Sequence, residues 1–98
     1  MQAEYDSRAR ALGITVVDNA EPRAQYGDEV GPGCVVAVDD RGRAVDVELL
    51  DPEEGLGSLK AAAERYHLDH EALVAAARAA LAAPDRPVTV DVGARSAA

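Results

Sequence analysis

Residues 34–50, CVVAVDDRGRAVDVELL, constrain the fold more than any other part of the chain. Two runs of β-forming residues flank Asp39-Asp40-Arg41-Gly42, and the glycine that ends this turn accepts the positive φ a tight reversal needs. The stretch therefore reads as a β-hairpin. On its second arm Val45, Val47 and Leu49 alternate with Asp46 and Glu48, the period of a strand with one buried and one wet face. The first arm, residues 34–38, is apolar throughout and is expected further inside. Two registers compete. A three-residue loop of Asp40, Arg41 and Gly42 pairs Val35 with Val47 and Ala37 with Val45; a two-residue loop of Arg41 and Gly42 pairs Val36 with Val47 and Val38 with Val45. The second matches apolar faces better, but Arg is a poor first residue for a type I′ turn, so the three-residue loop is preferred.

Before this hairpin, residues 2–6 and 12–18 read as strands joined by a tight connection. In the second of them Leu12, Ile14 and Val16 share one face and Gly13, Thr15 and Val17 the other. Residues 19–32 are polar, hold two prolines and two glycines, and read as a loop with a short edge strand near residues 24–30. After the hairpin, Asp51-Pro52 ends the strand, and residues 55–58 form a joint in which Ser58 caps a helix over residues 59–66. Its apolar face is Leu59, Ala62, Ala63 and Tyr66. Asp69 caps a second helix over residues 70–83, with Glu71 in the first turn, where the helix dipole favours negative charge. The stripe of this helix is Leu73, Ala76, Ala77, Ala80 and Leu81. Pro84 stops it, residues 87–92 form a last strand with Val88, Val90 and Val92 inward, and residues 93–98 are an expected frayed tail. Strands first and helices afterward predict an α+β fold: an antiparallel sheet of β-hairpins followed by two helices and a C-terminal strand.

Ninety-eight residues fit one domain, spanning an acidic hairpin half (1–54) and a helical half (55–98) with the last strand. Of the apolar residues 21 are alanine, and the chain has no Phe or Trp, so little surface leaves water per residue and the core is thin. A homodimer that completes the core is the expectation, with the faces of Leu59, Tyr66, Leu73 and Leu81 as contact surfaces beside the acidic strand residues Asp46 and Glu48. The formal net charge of −8 lies in residues 1–54, which hold five Arg against 13 Asp and Glu, whereas residues 55–98 balance. Such a surface repels phosphate backbones, which disfavours direct nucleic-acid binding and suits a basic partner. The chain opens without a charged-then-apolar leader and holds no apolar run of about 18 residues, so the reading is a cytoplasmic protein without a membrane span.

No reaction is legible. The single cysteine, Cys34, sits in an apolar strand and reads as a small buried hydrophobe. Hydroxyl groups are few, and none stands in a GxSxG setting. Gly31-Pro32-Gly33 lacks the GxxxxGK[ST] pattern and is a turn. The two helices superficially suggest helix-turn-helix, but the second offers only His70 and Arg78 as basic groups. The candidate metal ligands are His67, His70 and Glu71 at the helix joint, without HExxH or paired cysteines, and no cofactor is expected.

Glu4-Tyr5-Asp6, Ala11-Leu12-Gly13-Ile14, the strand at residues 33–38 and the run from Asp40-Arg41-Gly42 to Glu48-Leu49-Leu50-Asp51 together resemble the small bacterial DUF2283 family over residues 2–52. Members similarly open with a Tyr-Asp strand and close on a Gly-Arg hairpin with a Glu-aliphatic-Leu-Asp ending. The chain departs from the commoner pattern at Asp46, where glycine is usual, and residues 53–98 extend past the module. The resemblance implies no assigned activity and no site residue. It implies a partner role for some members beside small toxin-like proteins. The expected function is a non-enzymatic, self-associating interaction or regulatory module that binds a partner, in its specific form a small basic protein in an antitoxin-like pairing. The alternative is a small metal-dependent or small-molecule-binding enzyme centred on His67 and His70.

Overall fold

The computed structural model describes residues 1–17 and 24–90. They form β1 (Gln2–Asp6), β2 (Ala11–Thr15), β3 (Tyr26–Gly31), β4 (Cys34–Val38), β5 (Ala44–Leu50), a 3-10 turn at Pro52–Glu54, α1 (Ser58–Tyr66), α2 (His70–Ala82) and β6 (Pro87–Thr89). This is the α+β architecture predicted from the strand and helix patterns. The six strands make one sheet in the order β3-β4-β5-β2-β1-β6, every pairing antiparallel. The expected strand end at residue 18, residues 19–23 of the polar loop, the last two residues of the expected final strand (91–92) and the tail (93–98) lie outside the described residues.

Alternation decides which face is covered. Ala3 and Tyr5 of β1, Leu12 and Ile14 of β2, Cys34, Val36 and Val38 of β4, and Val47 and Leu49 of β5 are buried under the helices. There α1 lies over β3, β4 and β5, and α2 over β1, β2 and β6. Leu59 and Leu73 are fully enclosed, each worth about 1.5–3 kcal/mol of burial. Small side chains at Ala62, Ala63, Ala76, Ala77 and Ala80 are buried with them, which lets both helices approach the sheet closely.

The central hairpin combines the two registers the sequence left in competition. The loop is the three-residue one: the Asp39 N–H donates to the Arg43 carbonyl at 2.9 Å, the Gly42 N–H donates to the Asp39 carbonyl at 3.1 Å, and Gly42 has a φ of 77°. The expected pairing of Val35 with Val47 is nevertheless wrong. Val38 pairs with Ala44 and Ala37 with Asp46, so Val45 is an extra residue, and beyond it Val36 faces Val47. A bulge resolves the conflict between turn chemistry and face matching, since one inserted residue restores apolar to apolar pairing without changing the loop.

Asp39 holds that loop together. Buried to 4 % exposure, its carboxylate accepts from the backbone N–H groups of Arg41 and Arg43 and from Arg43 Nε, each at 2.9 Å. These donors, led by the Arg43 N–H, hold its carboxyl below the usual range. Asp69 caps α2 as expected, accepting from the Ala72 N–H at 3.2 Å. Ser58 does not cap α1. The cap position is Gly57, and Ser58 Oγ donates instead to the Pro32 carbonyl at 3.3 Å, because the chain enters this helix already in helical geometry.

Candidate functional site

The helices cover one face of the sheet, and among the described residues no element covers the other. On the open face, register aligns residues from different strands into rows. One row reads Glu29, Val35, Glu48, Gly13, Glu4 and Pro87 across β3, β4, β5, β2, β1 and β6. The next reads Gly27, Ala37, Asp46, Thr15, Gln2 and Thr89. Neighbouring strands lie about 4.8 Å apart, so Glu29, Glu48 and Glu4 recur at intervals of about 9.5–10 Å. No strand among the described residues contains a Lys or Arg.

The carboxylates of the chain divide by what they do. Asp28 accepts from Tyr66 Oη and lies 3.6 Å from Arg65 Nε, tying α1 to the edge strand. Glu53 accepts from Tyr5 Oη at 2.7 Å, pinning the 3-10 turn to β1. Asp85 accepts from the N–H and Oγ of Ser7 at 2.9 and 2.7 Å, which holds its carboxyl below the usual range. The hydrogen bonds to Glu53 and Asp28 push the Tyr5 and Tyr66 phenols up to about 12 each, since a phenolate would lose the bond and face a negative charge. By contrast, Glu4, Glu29, Asp46 and Glu48 engage no hydrogen bond or ion pair with any described residue. The fold uses the first group. The open face presents the second.

The centre of this face is a notch. Gly13 stands between Glu48 and Glu4, and a Cβ added there would meet nothing within 4 Å. A hollow of about 370 Å³ opens at this place, lined by Gln2, Glu4, Gly13, Thr15, Asp46 and Pro87. A larger hollow of about 550 Å³ lies at the sheet end beside Gly33, Leu50, Asp51, Glu54 and Ser58. Its lining brings together two carboxylates and the Ser58 hydroxyl, which donates to the Pro32 carbonyl and to neither carboxylate.

Of the residues expected on a contact surface, Glu48 is exposed and Asp46 half-buried on the open face. Leu59 and Leu73 are not surface residues, because both stripes are consumed by the sheet of their own chain. Tyr66 is half-buried with its hydroxyl on Asp28, and Leu81 is half-buried against the core. His67 ends α1 with a φ of 55° and His70 begins α2, both exposed, with Glu71 in the next position. Among the described residues, no three His, Cys, Asp or Glu side chains come together to hold a metal. Cys34 is fully buried, and burial pushes its thiol up. No helix among the described residues is long and apolar enough to cross a membrane.

Glu4, Glu29 and Gly13 are site residues that the sequence did not single out. The alternation of β2 was legible, but the row requires β2 to lie between β1 and β5, and that adjacency is a property of the sheet. In comparisons with family models, with curated proteins and with solved structures, the chain finds no match.

Proposed function

We propose that the protein is a non-enzymatic interaction module that binds a basic partner protein through the open face of its sheet. One observation carries this reading: the face that the helices do not cover carries four carboxylates that engage no described residue, and no strand among the described residues supplies a basic residue to neutralise them. Like charges so arranged repel one another in the free protein, and a basic partner relieves that repulsion while its approach is steered. An antitoxin-like pairing with a small basic protein is the specific form. Leu59, Leu73 and the buried alanines offer no surface for self-association, since they are enclosed within one chain. A face-to-face dimer would bring two acidic surfaces together.

The test is purification from the native host at low salt, with mass in solution and the composition of the complex measured. It is run on the wild type, on Glu4→Gln/Glu48→Gln, and on Glu54→Gln/Glu64→Gln, which removes the same charge elsewhere. A stoichiometric basic protein that is lost from the first variant and retained by the second supports the proposal. A bare monomer or homo-oligomer, or a partner lost equally from both variants, overturns it.

A further inference from the structure

Both edges of the sheet are poorly suited to adding a strand. The edge strand β3 is bulged between Glu29 and Gly31 and carries two acidic residues, while β6 has three residues and begins with Pro87. Bulges, charges, brevity and proline are the features that block edge pairing. The face that the helices leave uncovered, by contrast, has a definite relief. In the row, Gly13 stands between Glu48 and Glu4 with open space above it, and it also lines the 370 Å³ hollow together with Gln2, Glu4, Thr15, Asp46 and Pro87.

Resting on the reading of this face as a site for a basic partner, we infer that the docked element is an α-helix of that partner, laid across β5, β2 and β1. It carries two Lys or Arg residues seven positions apart, and between them a large apolar side chain that enters the notch over Gly13. The spacing is the argument. Glu48 and Glu4 are two strands apart, about 9.5–10 Å, and seven helical residues advance about 10.5 Å and return to the same helix face. The position three or four residues after the first basic group falls midway on that face, above Gly13. An extended segment matches poorly, because its same-side residues recur at about 6.6–6.8 Å. Charge complementarity places the two cations, and the glycine placed between two carboxylates makes room for the apolar group.

The probe is a stapled alanine-rich helical peptide bearing two lysines seven residues apart and a leucine four after the first. It is compared with an isomer of identical composition whose lysines are five apart and so point to different sides. Binding to the full chain is followed by fluorescence anisotropy at low ionic strength. Two exposed ion pairs acting together correspond to about a tenfold preference for the heptad peptide. That preference should vanish in Glu4→Gln/Glu48→Gln. Gly13→Val, which keeps both charges and fills the notch, should weaken the heptad peptide and leave the isomer unchanged. Thermal melts of each variant establish that it is folded. Equal binding of both peptides, lost in the glutamine variant, overturns the helix inference and leaves the basic-partner reading standing. Equal binding that is indifferent to Glu4 and Glu48, or no binding of either peptide, overturns both.

Discussion

Replacing Gly13 with valine should make this protein more stable, although it deposits a branched side chain in the middle of a candidate binding face. Gly13 is in β2, paired on both sides, its φ is not positive, and a Cβ there meets nothing within 4 Å. Glycine inside a strand costs about 0.5–1 kcal/mol relative to alanine, because the unfolded chain loses more freedom on folding. Valine adds a few tenths more on a β-propensity scale that spans about 1 kcal/mol. The new methyl groups enter open space, so no packing or buried polar group is disturbed. The sum is a gain of about 1 kcal/mol, or a rise in Tm of about 4–8 °C for a domain of this size. Urea denaturation followed by circular dichroism should show a higher midpoint with an unchanged slope. Gly42→Val is the internal control: at a φ of 77° a β-branched residue is strained by about 1–2 kcal/mol, so the same substitution should lower the midpoint. A lower midpoint for Gly13→Val refutes the reasoning, because it would mean that the space above Gly13 is already used by the fold.

Leu59→Ala should cost about 2–5 kcal/mol, since Leu59 is fully enclosed, while partner affinity of the folded fraction stays unchanged; weaker binding by folded protein would place the helix layer in the contact. Asp39 is held ionised by its donors, so its contribution is complete above the unfolded carboxyl value of about 3.9 and is lost as pH falls through the lower folded value. Asp39→Asn should thus be less stable than wild type at neutral pH, with the gap closing below about pH 4; a gap that persists in strong acid contradicts this. Ultraviolet titration should show Tyr5 and Tyr66 ionising near 12, with stability falling between about pH 10 and that value, because the folded state retains protons the unfolded chain releases. Tyr66→Phe should delete one of the two late transitions, and an ionisation of Tyr66 near 10 would show that its bond to Asp28 is absent in solution.

Local patterns were enough to place all six described strands and both helices within a few residues: alternation marked β2, β5 and β6 and helical repeat the two helices, as local consequences of having one buried face, while an apolar run marked β4, and β3 was read only as a short edge strand in a polar loop. The Asp69 cap and the glycine turn at Gly42 were local for the same reason. The misjudged elements depended on competition. The hairpin register was settled by a bulge at Val45 that satisfies turn and core together, and Ser58 falls inside α1 because the chain enters it from Gly57 already in helical geometry, leaving the hydroxyl to the Pro32 carbonyl of a distant turn.

The division is clearest at the candidate site. The sequence by itself determined that residues 1–54 are acidic, that Asp46 and Glu48 share a wet strand face, and that Leu59 and Leu73 are apolar anchors. It left open whether those anchors face a second subunit or the chain's own sheet. Tertiary structure decided that they face the sheet, and it set Glu4, Gly13 and Glu48 side by side although Gly13 and Glu48 are 35 positions apart in the chain. Alternation along a strand is a property of one segment, whereas a row across strands depends on which segments pair. That choice belongs to the whole core, whose burial is best satisfied by one strand order.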